Sequence, residues 1–252
     1  MVLQQTQDKG FGAFIVIQND LIGNFINHYG YWEGHLYQFY SQLIKDTDVV
    51  LDAGANIGFH TVQFAKLAKH VYAFEPQKLI FNLLSTNILF NYVSDKVSHY
   101  RLGLGDKKTT LHMQSLETTR QANGMENYGG LGLSTSETDT QPVDLIVFDD
   151  LNIDVDVIKM DIQGSEFYAL TGMKQTLLKN EPWLILENYY NQQYEQKGDK
   201  ESLQLLLDMG YEVIRFMHNN NEDCFVIKPE KHKHIKDLLL NSQYTLKIEK
   251  ND

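Results

Sequence analysis

Short apolar runs alternate along this chain with segments whose apolar residues recur three and four positions apart, the periods of buried strands and of helices. The runs predict strands at Phe11–Ile17, Val49–Leu51, His70–Phe74, Val97–Leu104, Val143–Phe148, Asp156–Met160 and Pro182–Leu186, with a closing pair at Tyr211–Phe216 and Asp223–Ile227. Thr109–Met113 reads as a strand of a small hairpin. Helical spacing predicts helices over Phe39–Ile44 and Phe59–Lys69, and one ending near Asn91 with Leu79, Ile80, Leu83, Leu84 and Ile88 as its core stripe. Ser165 opens another, with Phe167, Leu170, Met173 and Leu177 on one face and Gly172 as a break. Lys200–Met209 is stopped by Gly210, and Ile235–Leu240 is amphipathic. Met1–Gly10 reads as a frayed tail, Asn19-Asp20 as a hairpin turn, and Tyr29–Tyr40 as an aromatic lid or flank.

Strands alternating with helices predict an α/β fold with a mostly parallel sheet, helices on both faces and an antiparallel final hairpin. The expected organisation is one domain: a strand and helix flank over 1–48, a core over 49–230 and a helical tail over 231–252. Residues 115–143 form the one long polar stretch. Such a loop in a compact domain is usually functional or unstructured.

Composition narrows the partners. The chain has 252 residues, 42% hydrophobic and 22% charged, with a formal net charge of -11. That balance disfavours non-specific binding to nucleic acid or anionic membrane. A single cysteine, Cys224, excludes an intrachain disulfide and a cysteine metal cluster, and its apolar surroundings place it in the core. The polar start predicts no signal peptide, and no apolar run reaches the ~20 residues of a membrane span, so the expectation is a soluble cytoplasmic protein.

In parallel α/β sheets ligands bind beyond the carboxyl ends of the strands. Those ends carry Asp52 with the turn Gly54–Gly58, then Glu75, Leu104–Asp106, Asp161–Gly164 and Glu187-Asn188. The turn spacing is Gly-x-x-x-Gly, not the Gly-x-Gly-x-x-Gly of a pyrophosphate cradle. Glu75 stands where an acid commonly accepts from ribose hydroxyls. Its alternative is an acid favoured by the helix dipole; the glycine turn tips the balance toward ribose.

Asp52-Ala-Gly-Ala-Asn-Ile-Gly58, Ala73-Phe-Glu-Pro76, Asn127-Tyr-Gly-Gly130 and Ile158-Lys-Met-Asp-Ile-Gln-Gly-Ser-Glu166 resemble, in order and spacing, the FkbM family of S-adenosylmethionine-dependent methyltransferases. The resemblance runs from about Gly30 to Glu187. It implies a Rossmann-like class I methyltransferase fold with a seven-stranded sheet. It implies that Asp52, Gly54, Ala55, Asn56 and Gly58 line the methionyl end, that Glu75 beside Pro76 holds the ribose, that Leu104 borders the adenine and that Asp161 adjoins the donor. Asn127, Tyr128, Gly129, Gly130 and Gln163 are assigned to the acceptor, most plausibly a small molecule or glycan. The family usually has Glu where this chain has Gln163.

Transfer to a hydroxyl requires in-line positioning and benefits from a base. Asp161 is the first candidate, Glu166 and Glu187 follow, and His60 is weaker; Glu166 also reads as a first-turn helix acid and His60 as a polar residue packed beside the turn. Asp161, Glu187 and Asn188 could together hold a divalent metal, a reading not favoured. His232-x-His234 reads as solvated surface, and Tyr128, Tyr189 and Tyr190 as loop aromatics near the site. The absence of Asn/Asp-Pro-Pro-Tyr after the fourth strand weakens N-methylation. RNA 2′-O-methylation, from Lys159 and Asp161 on one strand face, and cofactor binding without turnover are the remaining alternatives.

Overall fold

A computed structural model describes residues 1–121, 123–136, 141–188, 198–216 and 223–250. The turn expected at 217–222 and the aromatics Tyr189 and Tyr190 lie outside the described residues. The chain forms two compact units, Met1–Gly103 with Lys108–Leu145, and Leu104–Lys107 with Ile146–Asp252.

The first unit begins with β1 (Leu3–Gln5), paired antiparallel with β2 (Ile15–Ile17). Part of the expected frayed tail is therefore a strand: Leu3-Gln-Gln shows no apolar alternation, but pairing with buried Val16 and Ile17 orders it. The Asn19-Asp20 turn is present, with the Asp20 N–H donating to the Ile17 carbonyl at 3.4 Å, but it leads into a helix and not a hairpin. Asn19 has φ +67° and Asp20 caps α1 (Leu21–Tyr29), a helix that the sequence reading missed. Helix α2 (Gly34–Leu43) starts earlier than expected and buries Leu36, Phe39, Tyr40 and Leu43. Strand β3 (Val49–Ala53) leads into α3 (Phe59–Leu67), and β4 (His70–Phe74) into α4 (Lys78–Phe90). With β5 (Val97–Tyr100) they make three parallel strands in register, Val50 opposite Val71 and Val71 opposite Val97.

Helix α3 is not amphipathic in the ordinary sense, because Phe59 to Ala65 are all buried. The N-terminal segment covers its outer side: Phe11 and Phe14 pack on Phe59, Tyr40 packs on Phe64, and Gln63 Nε2 donates to the Phe11 carbonyl at 2.6 Å. The strand expected over 97–104 breaks into β5 and β6 (Gly103–Leu104). Strand β7 (Thr109–Met113) pairs antiparallel with β8 (Leu133–Ser134) and β9 (Pro142–Ile146), over a small core of Met113, Val143 and Leu145.

In the second unit β10 (Val157–Met160) is followed by α5 (Glu166–Thr171) and α6 (Lys174–Asn180). The break falls at Gly172, as its position predicted, where a Cβ would meet the Gly105 carbonyl oxygen at 2.0 Å. Strand β11 (Trp183–Glu187) runs parallel to β10, and α7 (Asp199–Asp208) leads to β12 (Glu212–Phe216). Strand β13 (Asp223–Ile227) pairs antiparallel with both β11 and β12. The expected final hairpin is present but does not end the sheet. After α8 (Lys233–Leu240), β14 (Leu246–Glu249) adds antiparallel to β12. Its four residues, Leu-Lys-Ile-Glu, alternate apolar and polar but make too short a run to stand out, and Glu249 accepts at 3.0 Å from Nε of the buried Arg215. His232 is a further correction: it is buried, its Nδ1 accepts the Lys228 backbone N–H, and burial pushes it down to about 4.

Candidate active site

In the first unit the site is built from the ends of β3 and β4. The turn after β3 needs left-handed backbone at Gly54 (φ +80°), Asn56 (φ +51°) and Gly58 (φ +91°). Glycine reaches that region without strain; an asparagine tolerates it through local hydrogen bonding. Here Asn56 Oδ1 accepts the Ile57 N–H at 2.7 Å. The turn is pinned from below by the N–H groups of Gly54 and Ala55, both donating to the Phe74 carbonyl at 3.0 Å. At Gly58 a Cβ would stand 2.7 Å from Leu84 Cδ1, so the missing side chain lets α3 start against α4.

Glu75 ties the two strand ends together. Its Oε2 accepts the Asn56 N–H at 3.0 Å and its Oε1 accepts the Gln77 N–H at 2.8 Å. The carboxylate is buried and pre-aimed by backbone. Asp52 lies beneath the turn, fully buried; Oδ2 accepts from Thr61 Oγ1 at 2.6 Å, whereas Oδ1 has no hydrogen-bond partner among the described residues.

His60 is committed on both sides. Nε2 lies 2.9 Å from Glu33 Oε2 and Nδ1 lies 3.1 Å from Tyr40 Oη. A Glu33 carboxylate accepts the Nε2–H, which makes Nδ1 the acceptor for the Tyr40 hydroxyl. Burial, and then the nearby Asp52 charge, push the Tyr40 hydroxyl well above the usual phenol range, so it stays protonated.

The polar groups of the second unit gather after β10. Gln163 takes a left-handed conformation (φ +53°), and its Nε2 donates to Asp161 Oδ1 at 2.6 Å and to Glu187 Oε2 at 2.7 Å. The buried Lys159 ammonium lies 3.5 Å from Asp161 Oδ2. Burial would raise the Asp161 carboxyl, but the Lys159 charge, and then the hydrogen bond from Gln163, hold it below the usual carboxylate range. Asp161 is thus an ionised acceptor at neutral pH.

Glu166 behaves oppositely. It opens α5, is buried, and accepts the Ile162 N–H at 2.9 Å, yet burial pushes its carboxyl up to about 7. Asn188 faces away from any ligand role: its Oδ1 accepts from Arg215 Nη2 at 2.9 Å and its Nδ2 donates to the Asp199 carbonyl at 3.0 Å.

A family model for the methyltransferase FkbM domain matches residues 52–213, from the acid beneath the glycine turn to the start of β12. The chain belongs to the FkbM methyltransferase family. It is 22% identical over 197 residues to methyltransferase sdnD of Sordaria araneosa, covering 66% of this chain and 74% of that protein. It is also similar to the crystal structure of methyltransferase FkbM from Methylobacillus flagellatus KT, with 19% identity, a TM-score of 0.53 and 73% of this chain covered. The match spans 44% of that longer chain, and the likeness is one of fold, α/β and methyltransferase-like.

Within the FkbM domain the predicted residues fall into two groups. Asp52, Gly54, Ala55, Asn56, Gly58, Glu75 and Pro76 stand together in the first unit, with Asn127–Gly130 packed beside them. Asp161, Gln163 and Glu187 stand together in the second, which also holds Glu166 beneath the turn and the buried Leu104. Sequence reasoning missed Asp20, Glu33, Tyr40 and Gln77. The signal for Asp20 was present, since Asp followed by apolar Leu-Ile is an N-cap pattern. Among the described residues no helix is long and apolar enough to cross a membrane, and no group of three or more His, Cys, Asp or Glu could hold a metal ion.

Proposed function

We propose that this FkbM methyltransferase transfers the methyl group of S-adenosylmethionine to a hydroxyl of a sugar or glycan. The observation that carries the reading is the Glu75 carboxylate, locked by the Asn56 and Gln77 N–H groups at the end of β4 beside a glycine turn. A carboxylate fixed by backbone at the end of β4 suits a cis-diol, and the turn has no third glycine to cradle a pyrophosphate. Asn56 Nδ2, which has no partner among the described residues, adds an open donor at the same turn. These groups fit a nucleoside joined to an amino acid. When bound, that cofactor supplies an electrophilic methyl on sulfonium.

This chain's own residues do the rest by holding and accepting. Glu75 accepts from ribose hydroxyls, and the Gly54–Gly58 turn offers bare backbone at the start of α3. Asp161, kept ionised by Lys159 and Gln163, takes the proton from the acceptor hydroxyl as the oxygen attacks. A metal-assisted route is disfavoured because Asn188 is spent on Arg215 and the Gln163 amide already bridges Asp161 and Glu187. The sugar or glycan class rests on the family resemblance.

The test is methyl-labelled S-adenosylmethionine offered with sugar, RNA and protein acceptors. Label recovered as a methyl ether on a sugar hydroxyl supports the reading. Label on RNA or on nitrogen, with none on sugar, replaces it.

A further inference from the structure

We infer that the Asn127–Gly130 turn is a wall of the methyl-donor site rather than of the acceptor site, with Asp20 and Gln77 as its positioning residues. The inference rests on the donor reading of the Gly54–Gly58 turn given above and extends it to residues nothing else assigns there.

A continuous set of hydrogen bonds leads from one to the other. Asn56 N–H reaches Glu75, and Glu75 takes the Gln77 N–H. Gln77 Nε2 then donates to the Tyr128 carbonyl at 2.9 Å. On the far side the Tyr128 N–H donates to Asp20 Oδ1 at 3.1 Å, while Asp20 Oδ2 accepts the Gly23 N–H at 2.8 Å as the cap of α1. Leu21 N–H also donates to the Glu126 carbonyl, and Glu126 N–H to that of Asn19, both at 2.9 Å. The 127–130 turn is thus held between the donor-side strand end and the first helix, all within one unit.

Gly129 shows why this segment is bare. A Cβ there would stand 3.1 Å from Asn56 Nδ2 and 2.5 Å from Ile22 Cδ1. Its absence lets the turn pack directly against the Asn56 amide nitrogen, which lacks a partner among the described residues. An amide N–H facing a glycine is a fitting donor for a carboxylate or hydroxyl of a nucleoside–amino acid ligand. Asp20 is nearly fully buried, and burial raises its carboxyl, which marks it as a group serving the fold of this wall rather than meeting solvent.

The experiment uses the full chain and S-adenosylhomocysteine as probe, with affinity read by calorimetry and unliganded Tm read separately. Gln77→Met keeps the shape but removes the bond to Tyr128, and is expected to weaken the probe about tenfold, the equivalent of one hydrogen bond. Gly129→Ala is expected to weaken it by at least as much. Asp20→Ala should weaken it, and Asp20→Asn should recover only part of the loss, since the amide keeps one acceptor oxygen for the two N–H groups of Gly23 and Tyr128. A purely structural role would lower Tm with affinity unchanged. Should Gly129→Ala fail to fold, Gln77→Met decides. If both Gln77→Met and Gly129→Ala bind the probe as wild type does while Glu75→Ala loses it, the inference is overturned and the donor reading stands. If wild type does not bind the probe, both are overturned.

Discussion

The glycine turn of the first unit and the carboxylate group of the second solve the same problem, holding polar groups ready, by different means. Around Gly54–Gly58 the partners are backbone: the Glu75 oxygens take the N–H groups of Asn56 and Gln77, and the turn hangs on the Phe74 carbonyl. After β10 they are side chains, Lys159 and Gln163 on Asp161 and Gln163 on Glu187. Backbone partners survive side-chain substitution, so the first region is altered through its acids and its glycines. The second is altered by any one of four side chains, and its electrostatics change with each.

The largest effect should come from Asp161→Asn, which removes the ionised acceptor. With whichever acceptor sustains turnover, kcat should fall about 10²–10⁴-fold while S-adenosylhomocysteine binding stays within about threefold. Unchanged turnover would take the base role from Asp161 and leave the comparison without its chemical half.

Glu166→Gln sharpens the contrast within the second unit. Burial lifts the Glu166 carboxyl to about 7 in the folded chain, above its ordinary value of 4.5. The folded state therefore holds a proton that the unfolded chain has released between those values. The stability contributed by that proton is full below about 4.5 and is lost as pH rises through about 7. Denaturation across pH 4.5–8 should show Glu166→Gln gaining on wild type toward high pH, by up to about 3 kcal/mol. Parallel curves would mean that burial at this position does not shift the acid.

Gly58→Ala attacks the first region through its backbone. Left-handed φ and the approach of Leu84 should cost about 1–3 kcal/mol of stability, measured by denaturant midpoint. Gln163→Met is the smallest change. Losing the amide should raise the Asp161 carboxyl, moving the acidic limb of kcat/KM to higher pH and lowering activity about tenfold on that limb, the worth of one hydrogen bond to a charged group. The loss should fade above neutral pH. A uniform loss at all pH values would assign Gln163 a packing role alone.

The difference between the regions also explains what was legible in the sequence. The apolar runs gave β3, β4, β10 and β11, and Gly54, Gly58 and Glu75 could be placed at their ends because backbone turns have spacing rules. What escaped was set by tertiary partners. Leu3–Gln5 and Leu246–Glu249 are short strands ordered by their neighbours, and α1 was obscured when the turn into its cap, Asp20, was read as that of a hairpin. The pairing of His60 with Glu33 and Tyr40 joins residues 27 and 20 positions away, for which no local pattern exists. The Asn127–Gly130 motif was visible, but the side of the site it serves was not, because Gln77 and Asp20 carry no signal of reaching it.

Calorimetric titration of S-adenosylhomocysteine into wild type and Glu75→Ala tests the central claim most directly. The account predicts one site in the wild-type chain and about 100-fold weaker binding in the variant, from lost charged hydrogen bonds to the ligand and a loosened turn. Absence of binding to the wild type, or equal affinity in the two, would contradict it.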